Sequence, residues 1–331
     1  MPDRVPSAPR MQRAARPHSA KLTAMKSLNI IGAGRVGRTL ARLWRETGTF
    51  SVDAVLTATP DGGRDALAFI GAGRSVLRLA DMRCAEVWMV TVPDAAIGAC
   101  GEALAASALL RSGDAVFHCS GALSSAELAS AAARGALTAS VHPLKTFASA
   151  QAAACSFAGT HCAAEGAPAA LEVLRPAFER IGAKVFEIDP GQKTVYHAAS
   201  VIVCNCLTAL LETGLRCFEK AGFARETALP MMEPLVRETL DNVLALGPVR
   251  ALTGPIARGD AAVVERQLEA LGAADPRIAE IYRILGAVAL ELTRVRGRVN
   301  ADALARLDAL LEPIRGEAAS GVVAPHNGKS K

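Results

Sequence analysis

Leu28-Asn29-Ile30-Ile31-Gly32-Ala33-Gly34-Arg35-Val36-Gly37 is the stretch that decides the fold. A short apolar run ends in a GxGxxG turn. Beyond the turn, Val36, Leu40, Leu43 and Trp44 recur at i, i+4, i+7 and i+8, the apolar face of a helix. A glycine turn between a strand and an amphipathic helix reads as a phosphate cradle. Gly32 permits the tight turn, Gly34 lets a pyrophosphate approach the backbone, and Gly37 lets the helix pack closely on the strand. The unpaired N–H groups and positive end of that helix then face the diphosphate. Gly32, Ala33, Gly34, Arg35, Val36 and Gly37 are therefore the candidate cofactor-binding turn.

Outward from this turn the pattern alternates. Apolar runs at 27–31, 52–56, 86–92, 115–119, 138–142, 160–164 and 184–188 predict strands, and helical spacing separates most of them, as at 35–47 and 168–181. Repeated strand–helix–strand implies crossovers and a mostly parallel sheet covered on both faces. After Pro190 the strand signals stop, and 192–221, 225–246, 260–271, 276–296 and 301–314 all show helical periodicity. The expected fold class is α/β, a Rossmann-type doubly wound, mostly parallel sheet followed by an all-α C-terminal domain. The expected boundaries are a disordered extension at 1–25, a dinucleotide-binding domain at 26–189, a helical substrate and dimerisation domain at 190–315, and a disordered tail at 316–331.

Composition narrows the function. The chain has 331 residues, 51% of them hydrophobic and 21% charged, which suits a large buried core. Its net charge of +5 is concentrated at 1–24, where Arg4, Arg10, Arg13, Arg16 and Lys21 face only Asp3. The remainder is nearly neutral, and 4% aromatic residues offer no ready base-stacking platform, so no nucleic-acid partner is expected. The longest apolar run, 198–211, is interrupted by Ser200, Asn205 and Thr208 and falls short of the roughly 20 residues of a bilayer span, so no membrane role is expected either. Eight cysteines without a CxxC pair or a secretory signal read as reduced thiols of a cytoplasmic protein. No His/Cys spacing suits a metal.

The dinucleotide can be narrowed further. An acidic residue ending the second strand would hold the ribose of NAD. Asp53 instead begins that run, whose end carries Thr57, Ala58 and Thr59 with Arg64 shortly after. Hydroxyls and a cation suit a 2′-phosphate, so NADP is the expected cofactor, with NAD as the alternative. Val92-Pro93-Asp94 and Ser120-Gly121 end two further apolar runs, where an open parallel sheet places its ligand.

Taken with Gly32–Gly37, the strings Val92-Pro93-Asp94, His118-Cys119-Ser120-Gly121, 142–147, Tyr196-His197-Ala198-Ala199 and 252–260 resemble one bacterial family. It is a Rossmann-like family labelled as NADP oxidoreductases, with a C-terminal helical domain of unassigned function. More distantly the chain is similar to pyrroline-5-carboxylate reductase, ketopantoate reductase and the 6-phosphogluconate and β-hydroxyacid dehydrogenases. The resemblance implies an NADP-dependent oxidoreductase that moves hydride between nicotinamide and a small anionic carbonyl or imine compound in the interdomain cleft, as a homodimer built by the helical domain. The dehydrogenase relatives open their long helix with a Gly, a catalytic Lys and an Asn, where the matching register here holds Gly191, His197 and Val201, with Asn205 one turn on. That departure makes His197 the candidate proton donor or acceptor, and it equally allows an NAD(P)-binding or sensing protein without turnover. Asn205 and the strand-end His142 are candidate substrate ligands, as are Thr253 and Arg258, whose hydroxyl and guanidinium could cradle a carboxylate. Asp260 reads as the N-cap of the next helix.

Overall fold

The computed structural model describes residues 25–312, and the expected extension and tail, apart from Met25, lie outside the described residues. The chain divides into two compact units, Met1–Cys204 and Asn205–Lys331.

The first unit is built on eight strands: β1 (Lys26–Ile31), β2 (Phe50–Leu56), β3 (Arg74–Val76), β4 (Val87–Val90), β5 (Ala115–His118), β6 (Leu137–Pro143), β7 (His161–Gly166) and β8 (Lys184–Glu187). They form one sheet in the order β3-β2-β1-β4-β5-β6-β7-β8. The first six strands are parallel, as the helical crossovers require, and only the β6–β7 pair is antiparallel. The mostly parallel Rossmann-type sheet is therefore present. β3 is three residues long and left no periodic signal in the sequence.

Both faces of the sheet are packed. On one, Trp44 of α1 (Arg35–Glu46) lies edge-on to Phe50, Phe117 and Phe178 at centroid distances of 5.2, 6.2 and 5.2 Å, and its Nε1 donates to Ala177 O at 2.9 Å. This is how a large indole is buried without stranding its N–H. On the other, Ile31, Val90, Ile97, Leu104 and Val116 share a second core. Asn29 is the buried polar exception in β1. Its Nδ2 donates to Arg83 O at 2.7 Å and its Oδ1 accepts from Ala54 N at 3.2 Å, which fills the place where the β1–β2 register shifts.

One helical run spans Pro190–Lys220. Within it the expected unbroken α-helix is interrupted by a π-helical stretch, Ile202–Cys206, which resets the phase of every later side chain. Its 31 residues are long and apolar enough to cross a membrane by length and composition, because the helix carries on through the polar residues that break the apolar run. Only a small share of that stretch is buried, and Val195, Ile202, Val203 and Leu210 are exposed.

The second unit is all helical. Arg225–Leu246, Ala261–Ala274, Pro276–Arg296 and Ala301–Leu311 follow one another, with short turns of helix at Pro248–Ala251 and Gly254–Arg258. Ile256, Val264, Leu268, Leu290, Leu307 and Leu311 form its core. Asp260 accepts from Val263 N at 3.3 Å and caps Ala261–Ala274 as the sequence predicts. A groove of about 560 Å³, apolar almost throughout, runs between side chains such as Leu210, Phe218, Leu235, Ile281 and Leu285. Leu229, Leu235, Leu244 and Ile284 leave more apolar surface exposed than an isolated fold usually does.

Candidate active site

The glycine turn has the geometry its three glycines demand. Gly32 has φ +85°, and a Cβ there would stand 2.8 Å from Val92 Cγ1. A Cβ on Gly37 would stand 2.3 Å from Thr91 Oγ1 and 2.8 Å from Gly32 O, so α1 lies directly against the turn and the end of β4. Gly34 differs: a Cβ there would meet only Thr91 O, at 3.9 Å, so its missing side chain leaves open space rather than allowing a contact. Gly34 is also the N-cap of α1 and offers no side chain to its first N–H groups. Gly32, Ala33, Gly34 and Arg38 line a cavity of about 510 Å³ together with Thr57, Ala58 and Thr59 after β2, Gly62 of the helix that follows, and Val92 and Pro93 after β4, while Arg35, Val36 and Gly37 are not among its lining residues. The volume, the unpaired amides and the Cβ-free approach at Gly34 all fit a dinucleotide's diphosphate and ribose.

The charges around this cavity divide clearly. Asp53 is engaged elsewhere, 3.6 Å from Arg74 Nη2 and 3.8 Å from Arg83 Nη1. Arg64 is exposed and paired with Asp61. Arg38 of α1 lines the cavity with its Nε held by Ala33 O at 3.0 Å, and among the described residues no carboxylate pairs with it. Arg35 lies outside the cavity lining and donates to Phe147 O at 3.3 Å.

Along the same sheet edge, at the ends of β5 and β6, lies a second cluster. Ser120 Oγ donates to Asp94 Oδ2 at 2.8 Å and accepts from Leu123 N at 3.0 Å, tying together the turns after β4 and β5. His118 accepts from Ser120 N at Nδ1 (3.2 Å) and meets Ser124 O through Nε2 (3.0 Å), and burial pushes it down to about 4. The neutral ring fits both bonds. Lys193 is fully buried, with Nζ 2.9 Å from Ser140 Oγ and 3.1 Å from Ser120 O. Burial lowers its pKa, opposed by the nearby carboxylates Glu165 and Asp94. His142 is pushed down to about 4 by burial, then by the like charges of Lys193 and His197. Its Nδ1 lies 3.2 Å from Tyr196 Oη, and its ring stands edge-on to those of Tyr196 and His197, each with centroids 5.6 Å away. Burial raises the Tyr196 phenol to about 12.

Gly121 lies beneath the two imidazoles. A Cβ there would meet His197 Nδ1 at 2.3 Å and His142 Nε2 at 2.9 Å, and His197 Nδ1 is buried without a hydrogen-bond partner among the described residues. Of the expected site residues, the first unit thus gathers Asp94, Ser120, Gly121, His142 and His197 at one end of the sheet. Asn205, Thr253 and Arg258 belong to the second unit. Asn205 falls in the π-helical stretch and is exposed. Thr253 and Arg258 line a cavity of about 420 Å³ together with Arg296 and Arg298.

Lys193 and Ser140 join this cluster unforeseen from the sequence, and Tyr196, part of the family-like string 196–199, joins it without a role foreseen there. A signal existed for Lys193, which precedes His197 by four residues and so shares its helix face. Among the described residues no group of three or more His, Cys, Asp or Glu side chains could hold a metal, and no disulfide joins any of the cysteines.

A dinucleotide cradle on a doubly wound sheet, followed by a helical unit, defines the class of protein, and comparison with known proteins agrees. Residues 13–143 match the Rossmann-like domain family and residues 160–289 match a domain of unknown function, DUF2520. The chain thus carries a Rossmann-like domain followed by a DUF2520 domain. Protein TM1727 from Thermotoga maritima is 25% identical, with a TM-score of 0.65 over 82% of this chain and 100% of that one. BF3122 of Bacteroides fragilis, provisionally named an NADP oxidoreductase, is 21% identical, with a TM-score of 0.64 over 83% of this chain and 99% of that one. An imine reductase from Myxococcus stipitatus, solved with NADP+, is 17% identical, with a TM-score of 0.52 over 86% and 92%. The fold is one shared with NAD(P)-dependent oxidoreductases. No curated protein matches the sequence.

Proposed function

We propose that this chain is an NADP-dependent oxidoreductase acting on a small, anionic carbonyl or imine compound, with 190–315 as its substrate and dimerisation domain. One observation carries the reading. The glycine cradle and the His142–Lys193–Tyr196–His197 cluster lie along the same edge of one sheet, at the carboxyl ends of the parallel strands β1, β4, β5 and β6. This is the edge where such sheets hold ligands.

Bound there, a nicotinamide would supply or accept the hydride. The chain's own part is positioning and proton handling. The amides from Gly34 to Gly37 would hold the diphosphate, and Arg38 with Thr57 and Thr59 would face a 2′-phosphate. Ser120, fixed by Asp94, would shape the floor beneath the reacting carbon. His197 would give or take the proton. Thr253 and Arg258, with Arg296 and Arg298 beside them, would receive the substrate's acidic group, and Asn205 would orient it.

Following coenzyme oxidation against a panel of 2-keto acids and cyclic imines tests the proposal. Turnover that His197→Ala abolishes supports it. Tight NADPH binding with no turnover on any member, and no effect of His197→Ala, would replace it with a binding or sensing role.

A further inference from the structure

The second unit holds a cavity whose charge is all of one sign. It measures about 420 Å³, and Arg258, Arg296 and Arg298 line it with Thr253 and without a carboxylate. Two turns build it. Arg258 ends the short helix Gly254–Arg258, and Arg298 follows the end of Pro276–Arg296. A Cβ on Gly259 would stand 2.5 Å from Val299 Cγ1, so the two turns touch at the residues just after Arg258 and Arg298. Arg296 is half-buried, and its Nη1 donates to Leu252 O at 2.9 Å, which fixes the guanidinium at the cavity wall.

We propose that this cavity takes two negative charges, so that the substrate is a dianion, a dicarboxylate or a phosphate monoester, rather than a monocarboxylate. The inference rests on the oxidoreductase reading and narrows its substrate class.

The pairing of charges carries it. Elsewhere in this unit arginines meet carboxylates: Arg237 meets Glu233 at 2.8 Å, Arg277 meets Asp275 at 3.3 Å and Arg294 meets Asp308 at 2.7 Å. Among the described residues Arg258, Arg296 and Arg298 have no such partner. Asp260, two residues after Arg258, accepts from Val263 N at 3.3 Å as a helix cap. Three like charges around one concavity repel one another, and its walls strengthen their field. One carboxylate offsets a single guanidinium and leaves two. A dianion offsets two, each through charge-assisted hydrogen bonds. Thr253 adds a hydroxyl that caps no helix and makes no hydrogen bond among the described residues. A helix C-terminus favours a cation, which suits Arg258 and Arg296. Arg298 lies past Gly297, whose φ is +65°, and that effect fades beyond the last turn, so it does not explain the third charge.

The test combines a readout without coenzyme and one with it. Full-length protein is titrated calorimetrically with malonate, inorganic phosphate and acetate at constant ionic strength. At least one of the two dianions is expected to bind at least tenfold more tightly than acetate, and the tighter of them tells a dicarboxylate from a phosphate monoester. Arg258→Gln and Arg298→Gln are each expected to weaken that dianion about tenfold. Arg266→Gln removes an exposed charge that lines no part of this cavity and is expected to bind as wild type does. With NADPH, carbonyl compounds bearing the preferred dianion are expected to show at least tenfold higher kcat/KM than chain-matched monocarboxylates, and Arg298→Gln should erase the preference. Acetate binding as tightly as both dianions, no binding of any of the three, or equal loss in Arg266→Gln would overturn the proposal. So would variants at Arg258 and Arg298 that melt earlier yet bind the dianion unchanged, which is the result of a helix-end role alone. Failure to bind any nicotinamide coenzyme would instead remove the oxidoreductase reading, and the substrate class with it. The two failures are distinguishable because the anion titration does not depend on coenzyme.

Discussion

Lys193 Nζ donates to Ser140 Oγ at 2.9 Å with no part of the lysine exposed, so a helix residue after β8 pins the side of β6. The same ammonium reaches Ser120 O at 3.1 Å and therefore also fixes the turn after β5. One buried cation sets the spacing of the strand ends on which the candidate site stands.

Replacing it should be read most clearly at His142. Lys193→Met keeps the volume and removes the charge, and Ser140 Oγ retains its contact with Ser120 O at 3.3 Å. Because the Lys193 charge helps depress His142, the variant's His142 is expected to titrate at higher pH. Histidine NMR titration checks this, and an unchanged His142 titration would contradict it.

The depressed histidines tie stability to acid. His118 faces Lys193 and Asp94, and His142 faces Lys193, His197, Tyr196 and Asp94. Both fall to about 4 in the folded chain from an ordinary value of 6.5. As pH falls below 6.5 the unfolded state takes up these protons first, so stability is lost between pH 6.5 and 4 and fully present above that window. Each histidine contributes on the order of 3 kcal/mol at most. Urea melts across the window should show the slope, and His142→Gln should remove about half of it. A profile flat from pH 6.5 to 4 would be incompatible with neutral burial of these rings.

The legibility of the chain followed its periodicities. The glycine turn, most of the strands and the long helices were readable because apolar spacing and glycine placement are local. Strand direction is not local, so nothing in 160–164 foretold that β7 runs antiparallel to β6. A charged residue flanked by polar ones reads as surface, and Lys193 is buried only because Ser120 and Ser140 arrive from distant strands. The dehydrogenase register singles out His197 alone, and nothing local in the sequence assigns a role to Lys193 or Tyr196, its neighbours on the same helix. The π-helical stretch at Ile202–Cys206 has no sequence signature, and it interrupts the α-helical spacing between His197 and Asn205.

Coenzyme preference should reside in Arg38. Asp53 is paired with Arg74 and Arg83, and Arg64 with Asp61, whereas Arg38 faces the cavity without a carboxylate partner. Arg38→Gln is expected to weaken NADPH roughly tenfold or more, the worth of a charged phosphate contact, and to leave NADH unchanged. Titration calorimetry with each coenzyme decides it, and equal loss for both would assign Arg38 to packing.

The apolar face of the second unit is expected to be covered by a second copy of the chain. Leu235 is 62% exposed beside Leu229, Met231 and Leu240 on Arg225–Leu246. Light scattering should find a dimer, and Leu235→Glu should give a folded monomer. A wild-type monomer at micromolar concentration would rule the dimer out.

Binding of NADPH to the wild-type protein and its Gly34→Ala and Gly37→Ala variants, followed by calorimetry beside thermal melts, bears most directly on the proposed coenzyme cradle. The wild type should bind. Gly34→Ala should keep its melting temperature and lose affinity at least tenfold, because the new methyl meets nothing among the described residues closer than 3.9 Å yet occupies the phosphate approach. Gly37→Ala should lose both, since its Cβ stands 2.3 Å from Thr91 Oγ1. A wild type that releases no heat with either coenzyme, or a Gly34→Ala protein that binds as well as wild type, would contradict the account.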